Sequence, residues 1–230
     1  MMALPLPVKV KICGITSLED ALTASGIGAD LLGLNFYPKS PRYISPEDAR
    51  ELCAALRAEL GTACPILVGL FVNEPVGKIS VTMEKVGLRF VQLSGDESVE
   101  MLRELRGTAY KGIRPRTIAE AADEVGYFGP GFSDDERIPS ILVDAYHPSL
   151  YGGTGEQTSC EVALAAKAFV PRLMLAGGLK PENVGAAVET VMPWGVDVAS
   201  GVEITGHPGK KDAAKMRDFV QAAKQVGVNS

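Results

Sequence analysis

Short apolar runs alternate with longer amphipathic stretches along the chain, and their spacing predicts eight strand and helix pairs. Val8–Cys13 alternates apolar and basic residues as a strand does, and places Cys13 at its exit, directly before Gly14. Thr16 or Ser17 then caps a helix over Leu18–Ile27, with Glu19 and Asp20 in its first turn to suit the helix dipole. Asp30–Phe36 is nearly continuous in apolar residues, the pattern of a strand buried on both faces of a parallel sheet. A loop rich in proline and basic residues follows, Tyr37–Tyr43. Ser45 and Pro46 open the next helix, which runs to about Leu60.

The pattern continues with strands over Ile66–Phe71 and Phe90–Leu93 and helices over Pro75–Val86 and Glu97–Leu105. Ala109–Ile113 predicts a weaker strand, because Lys111 and Gly112 interrupt it. A short helix is expected over Thr117–Val125. Gly126–Pro139, with its glycines, prolines and acidic run Asp134–Glu136, reads as a surface loop whose acids are solvated. Ile141–Val143 is a strand ending in Asp144, and a glycine-rich loop at 152–155 leads to a helix over Glu161–Phe169. Leu173–Ala176, Pro181–Val191, Val196–Ala199 and Lys210–Gln225 complete the alternation. Such alternation implies a parallel α/β sheet covered by helices, and eight units favour closure into a barrel formed by the whole of residues 1–230. An open doubly wound sheet is the alternative if the fifth unit is discounted.

At 230 residues the chain can bury the core of one such domain. Apolar residues at 46% and charged residues at 22% fit a soluble globular protein. The net charge of -5 offers no general attraction for nucleic acid or an anionic membrane, so an anionic ligand must be gripped by local groups. The cysteines at 13, 53, 64 and 160 lack close pairing, and His147 and His207 do not complete a zinc pattern, so neither a disulfide framework nor a metal is expected. Residues 1–7 lack a basic n-region and are too short for a secretory core, which points to the cytoplasm.

In barrels of this kind the chemistry lies at the C-terminal ends of the strands. That rule selects Cys13, Asn35, Arg42, Gln92 and Asp144, with the turns Gly177-Gly178 and Ser200-Gly201. Each has a plainer reading: a buried cysteine packs as a small hydrophobe, Asp144 caps a helix or pairs with a neighbouring loop, Arg42 lies on the surface, and the glycines only permit tight turns. Taken together, a thiol and a carboxyl at one end of the barrel can move protons on a single ligand. Successive glycine turns can cradle a phosphate with backbone N–H groups. The combination suggests isomerisation of a sugar phosphate. Lys11, two residues before Cys13, shares its face and has an amine able to reach a carboxylate inside the barrel.

The segments Lys11–Thr16, Gly33–Tyr43, Gly69–Asn73, Val91–Leu93, 152–155, Leu175–Leu179 and Asp197–Glu203 occur in an order that resembles the phosphoribosylanthranilate isomerase family. The resemblance implies a single (β/α)8 TIM barrel that carries out, without cofactor, an Amadori rearrangement of N-(5-phosphoribosyl)anthranilate. It implies Asp144 as general acid, Cys13 as general base, and Arg42 as the holder of the anthranilate part, with Asn35 and Gln92 also at the substrate. It implies Gly177, Gly178, Ser200 and Gly201 as the phosphate site. A small phosphorylated substrate is the expected partner, with no nucleic acid or membrane, for a monomer or homodimer. Ser94-Gly95 stands where the family usually carries His-Gly, and Glu156–Cys160 where it has lysine and a Phe-Asp-Trp element, so those roles do not transfer. The competing readings are an isomerase of another sugar phosphate, a thiol hydrolase pairing Cys13 with His147 or His207, and a silent phosphate-binding barrel.

Overall fold

Parallel strands buried on both faces persist only where helices shield the outer one. In the computed structural model, which describes residues 8–144 and 159–225, that order is complete. The strands β1 (Lys9–Cys13), β2 (Leu31–Asn35), β3 (Ile66–Phe71), β4 (Phe90–Leu93), β5 (Ala109–Ile113), β6 (Ile141–Asp144), β7 (Leu173–Ala176) and β8 (Gly195–Val198) pair in chain order. The sheet closes where β8 meets β1, so it is a barrel and not an open sheet. Around it run α1 (Leu18–Gly26), α2 (Pro46–Leu60), α3 (Val76–Val86), α4 (Val99–Glu104), α5 (Ile118–Phe128), α6 (Ser159–Lys167), α7 (Pro181–Val191) and α8 (Ala213–Gln225).

Local chemistry sets these boundaries. Ser17 and Ser45 each accept a hydrogen bond from the backbone N–H three residues on, at 3.1 Å, satisfying a donor that the first helical turn leaves open. Gly87 ends α3 in the left-handed region, at φ 71°, where a side chain would be strained.

Alternate strand residues divide between two cores. Val10, Ile12, Leu32, Leu34, Val196 and Val198 point outwards and pack with the helices. Leu31, Val68, Phe90, Tyr110, Leu142 and Met174 fill the barrel itself. Polar side chains also lie within, namely Lys11, Gln92 and Asp197, whereas Lys111 shares the outward face of Ala109 and Ile113 and is buried beneath the helices.

At three places the structure departs from the sequence expectation because a side chain there is buried. The fourth helix was expected from Glu97 but starts at Val99, since Glu97 is buried and paired with Lys111 at 2.9 Å. The last helix was expected from Lys210 but starts at Ala213, since Lys211 is buried against Glu203 at 3.1 Å. The segment 126–139 is only partly loop. α5 continues to Phe128, whose ring lies 5.7 Å from the Lys111 ammonium, and a short 3-10 turn follows at Gly129–Gly131. Within the acidic run Asp135 is not merely solvated. Arg137 pairs with it through two nitrogens, which holds its carboxyl at about 2. The weak fifth strand forms fully, with Lys111 satisfied by Glu97 beneath the helices.

Glu97 accepts from the Asn73 and Gly95 amides, both at 2.8 Å, as well as from Lys111. Removing it strands a buried ammonium and two donors. Glu97→Ala is expected to cost about 3–5 kcal/mol in urea unfolding, the usual penalty for breaking a buried pair from one side.

Candidate active site

Cys13 is the last residue of β1 and is 5% exposed. It pairs in register with Gly33, and a Cβ at Gly33 would lie only 2.7 Å from its sulfur, so the thiol occupies the space that this glycine leaves. Burial pushes the Cys13 thiol above its ordinary value, against the pull of Lys11 and Lys211. Asp144 is the last residue of β6, two beyond the inward Leu142, and therefore shares its face. The guanidinium of Arg114, in the loop after β5, lies 3.4 Å from Asp144 and reaches the Ser94 carbonyl at 3.5 Å. Thiol and carboxyl thus stand at the same end of the barrel, both directed towards its mouth.

Beneath them runs a buried polar layer. Lys11 donates to Asp197 at 3.0 Å and to Gln92 at 2.7 Å. Tyr110 donates to the same Gln92 oxygen at 2.9 Å, while the Gln92 amide nitrogen donates to Ser94 at 3.0 Å. Gln92 therefore spends its polar atoms within the barrel. Asn35 sits higher, where its oxygen accepts from the Tyr37 amide at 2.9 Å and its nitrogen donates to Ser40 at 3.0 Å. It shapes the loop that carries Arg42.

Arg42 lies across Gly14, the residue next to Cys13, where a Cβ would come within 2.5 Å of the arginine stem. Its Nε and Nη2 donate to the two Glu203 oxygens at 2.7 and 2.8 Å. This side-on fork leaves Nη1 outside the pair. Glu203 also accepts from Lys211 at 3.1 Å and from the Gly209 amide at 3.0 Å. Burial pushes the Glu203 carboxyl up, but Arg42, Lys211 and the Gly209 amide together hold it below its ordinary value.

The glycine turns meet beside this pair, after the adjacent strands β7 and β8. Gly177 and Gly178 follow β7 with φ of 95° and 58°, a backbone path open to glycine. Ser200 and Gly201 begin a 3-10 turn after β8. A Cβ at Gly201 would come within 2.0 Å of the Leu179 carbonyl, so the absence of a side chain there lets the two turns press together. Asn183, in the first turn of α7, donates to the Gly178 carbonyl at 3.1 Å and fixes this turn against the helix.

The glycine-rich segment 152–155, residues 156–158 and His147 lie outside the described residues. His207 lies exposed in the excursion between Glu203 and Lys211. Among the described residues, no cluster of three or more His, Cys, Asp or Glu side chains could hold a metal ion, and no helix is long and apolar enough to cross a membrane. Sequence reasoning missed Glu203, Lys211, Asp197 and Arg114. Of these, Asp197 is the most recoverable, since it lies on the inward alternation of β8 beside Lys11 in register.

Comparison with known proteins matches residues 10–222 to the family described as N-(5'-phosphoribosyl)anthranilate isomerase. The enzyme of that name from Geobacter sulfurreducens is 46% identical over 217 residues, covering 94% of this chain and 98% of the relative. The crystal structure of phosphoribosyl anthranilate isomerase from Thermotoga maritima is 40% identical with a TM-score of 0.79, covering 95% of this chain and 99% of that one. A further crystal structure of such an isomerase, in complex with reduced 1-(o-carboxyphenylamino)-1-deoxyribulose 5-phosphate, is 38% identical with a TM-score of 0.77. It covers 95% of this chain and 99% of its own.

Because the folded Glu203 sits below its ordinary value of 4.5, its contribution to stability is present above that pH and fades as pH falls through the folded value. Glu203→Gln is therefore expected to melt below the parent protein at neutral pH, with the gap closing under acid. A series of melting temperatures between neutral and acid pH checks this.

Proposed function

The chain belongs to the N-(5'-phosphoribosyl)anthranilate isomerase family, and from that premise we propose how its residues divide the work. The protein is an isomerase of tryptophan biosynthesis. It converts N-(5-phosphoribosyl)anthranilate to 1-(2-carboxyphenylamino)-1-deoxyribulose 5-phosphate by an Amadori rearrangement. In our reading Asp144 gives a proton to the furanose ring oxygen. The C1–O bond breaks, the electron pair goes to oxygen, and the anilino nitrogen takes up the positive charge as an iminium.

Cys13 then removes the proton from the adjacent carbon. The C–H electron pair forms the new double bond, the iminium is discharged, and the resulting enolamine tautomerises to the ketone. No oxidant is required, since the carbon that loses hydrogen is balanced by the one that gains it. The observation that carries this reading is the placement of Cys13 and Asp144 at the ends of β1 and β6, on inward positions of one barrel mouth.

Arg42 presents Nη1, the nitrogen outside its Glu203 pair, to the anthranilate carboxylate. The amides around Gly177, Gly178, Ser200 and Gly201 receive the phosphate, helped by the positive end of the turns. Asn35 and Gln92 act one step back: Asn35 through the loop that holds Arg42, Gln92 through Lys11. The whole chain works as this one barrel domain in the cytoplasm, as a monomer or homodimer.

Turnover is followed by the loss of fluorescence of phosphoribosylanthranilate made in situ. Cys13→Ala and Asp144→Asn are each expected to lower it by about 10²- to 10⁴-fold, the range of a lost general acid or base, with the fold intact by circular dichroism. Near-normal turnover in either variant removes that residue from its role.

A further inference from the structure

A buried charged pair lies inside the barrel below the proposed base. The Lys11 side chain is fully buried and that of Asp197 is 10% exposed. Taking two charges out of water costs about as much as their attraction returns, so such a pair is a poor stabiliser and asks for another explanation. Here the ammonium is fixed from two sides, by Asp197 at 3.0 Å and by Gln92 at 2.7 Å, and Tyr110 anchors the Gln92 oxygen in turn. Two residues further along β1, on the same inward face, stands Cys13. Its sulfur fills the space over Gly33 and has little freedom to withdraw.

We infer that Lys11, held in place by Asp197 and Gln92, is a positioning residue for Cys13: its fixed positive charge beneath the sulfur favours the thiolate that accepts the proton. This rests on the reading of Cys13 as general base. Charges from several elements meet at the sulfur. On β1 Lys11 favours the thiolate, and on neighbouring β8 Asp197 opposes it. Lys211, before α8, favours it as well, and Arg42 adds a cation from the loop after β2. Tyr110 on β5 is a neutral phenol, since burial raises its pKa. Burial of the thiol is the largest influence and works against ionisation; Lys11 is the foremost of the cations that oppose it. Burial works against the charge on Lys11 too, but Asp197, with smaller help from Cys13 and Tyr110, more than restores it, so Lys11 remains a cation.

The test reads Cys13 without substrate. Its rate of alkylation by iodoacetamide is measured against pH, on the Cys13 peptide by mass spectrometry, so that Cys53, Cys64 and Cys160 do not contribute. In Lys11→Met the midpoint is expected to rise by about one pH unit or more, which makes alkylation roughly tenfold slower at neutral pH. Lys11→Arg, which keeps the charge, returns towards the parent value. Lys11→Met/Asp197→Asn leaves no unpaired buried charge and serves if the single variant does not fold; its midpoint rises by less. In the turnover assay kcat falls with a matching shift of its pH profile, while KM changes little. An unmoved alkylation midpoint in a folded Lys11→Met, or in the double variant, overturns the inference. So does a fall in kcat with an unshifted pH profile, which marks a structural role only. Because alkylation needs no turnover, this outcome is independent of the activity of Cys13→Ala that tests the base itself.

Discussion

Closing a parallel sheet on itself places every second strand residue in an interior that excludes water, and a charge there persists only if a partner is built opposite it. That constraint organises this molecule. Inside the barrel Lys11 faces Asp197, in the equally dry layer under the helices Lys111 faces Glu97, and at the rim Lys211 and Arg42 share Glu203. Two of these pairs tie elements far apart in the chain, β1 to β8 and the loop after β2 to the excursion after β8, while Lys111 and Glu97 join β5 to the start of the preceding α4. The ion pairs mark the seams of the barrel and lie next to its chemistry.

The rim pair shows how stability and function are coupled. Glu203 neutralises Arg42, which leaves the site less positive than a free guanidinium would. It also fixes the plane of the fork, and a fixed donor loses less entropy when a ligand arrives. The same carboxylate holds Lys211 and the Gly209 amide, so the loops after β2 and β8 are tied to each other. The glycines serve a parallel purpose. Gly33 gives room to a sulfur, Gly14 to the stem of Arg42, and Gly201 to the carbonyl of Leu179. At each point a backbone must come close to a functional group, and a methyl group would displace it.

Alternating apolar runs, helix caps at Ser17 and Ser45 and the inward and outward division of residues were all legible along the chain, because they follow from interactions between near neighbours. So was the list of strand-end residues, since a barrel has one functional end. The starts of α4 and α8 were misplaced by local reasoning. Glu97 and Lys211 look like ordinary helix-terminal charges until the strand that pairs with them is known. The continuation of α5 to Phe128 depended likewise on Lys111, a residue that by itself argued against a strand.

What the amino-acid order determined alone is therefore the set of elements, their alternation, and which side chains each strand offers to the barrel mouth. Those outcomes depend on periodicity, capping and backbone freedom, which act within a few residues. Which charge meets which was decided only by closure, because residues such as Lys11 and Asp197, 186 apart in the chain, become neighbours through strand register and barrel curvature. The electrostatic setting of Cys13 belongs to both classes: the thiol and Lys11 stand two residues apart in the sequence, but Lys211, Arg42 and the anion Asp197 are brought there by the fold.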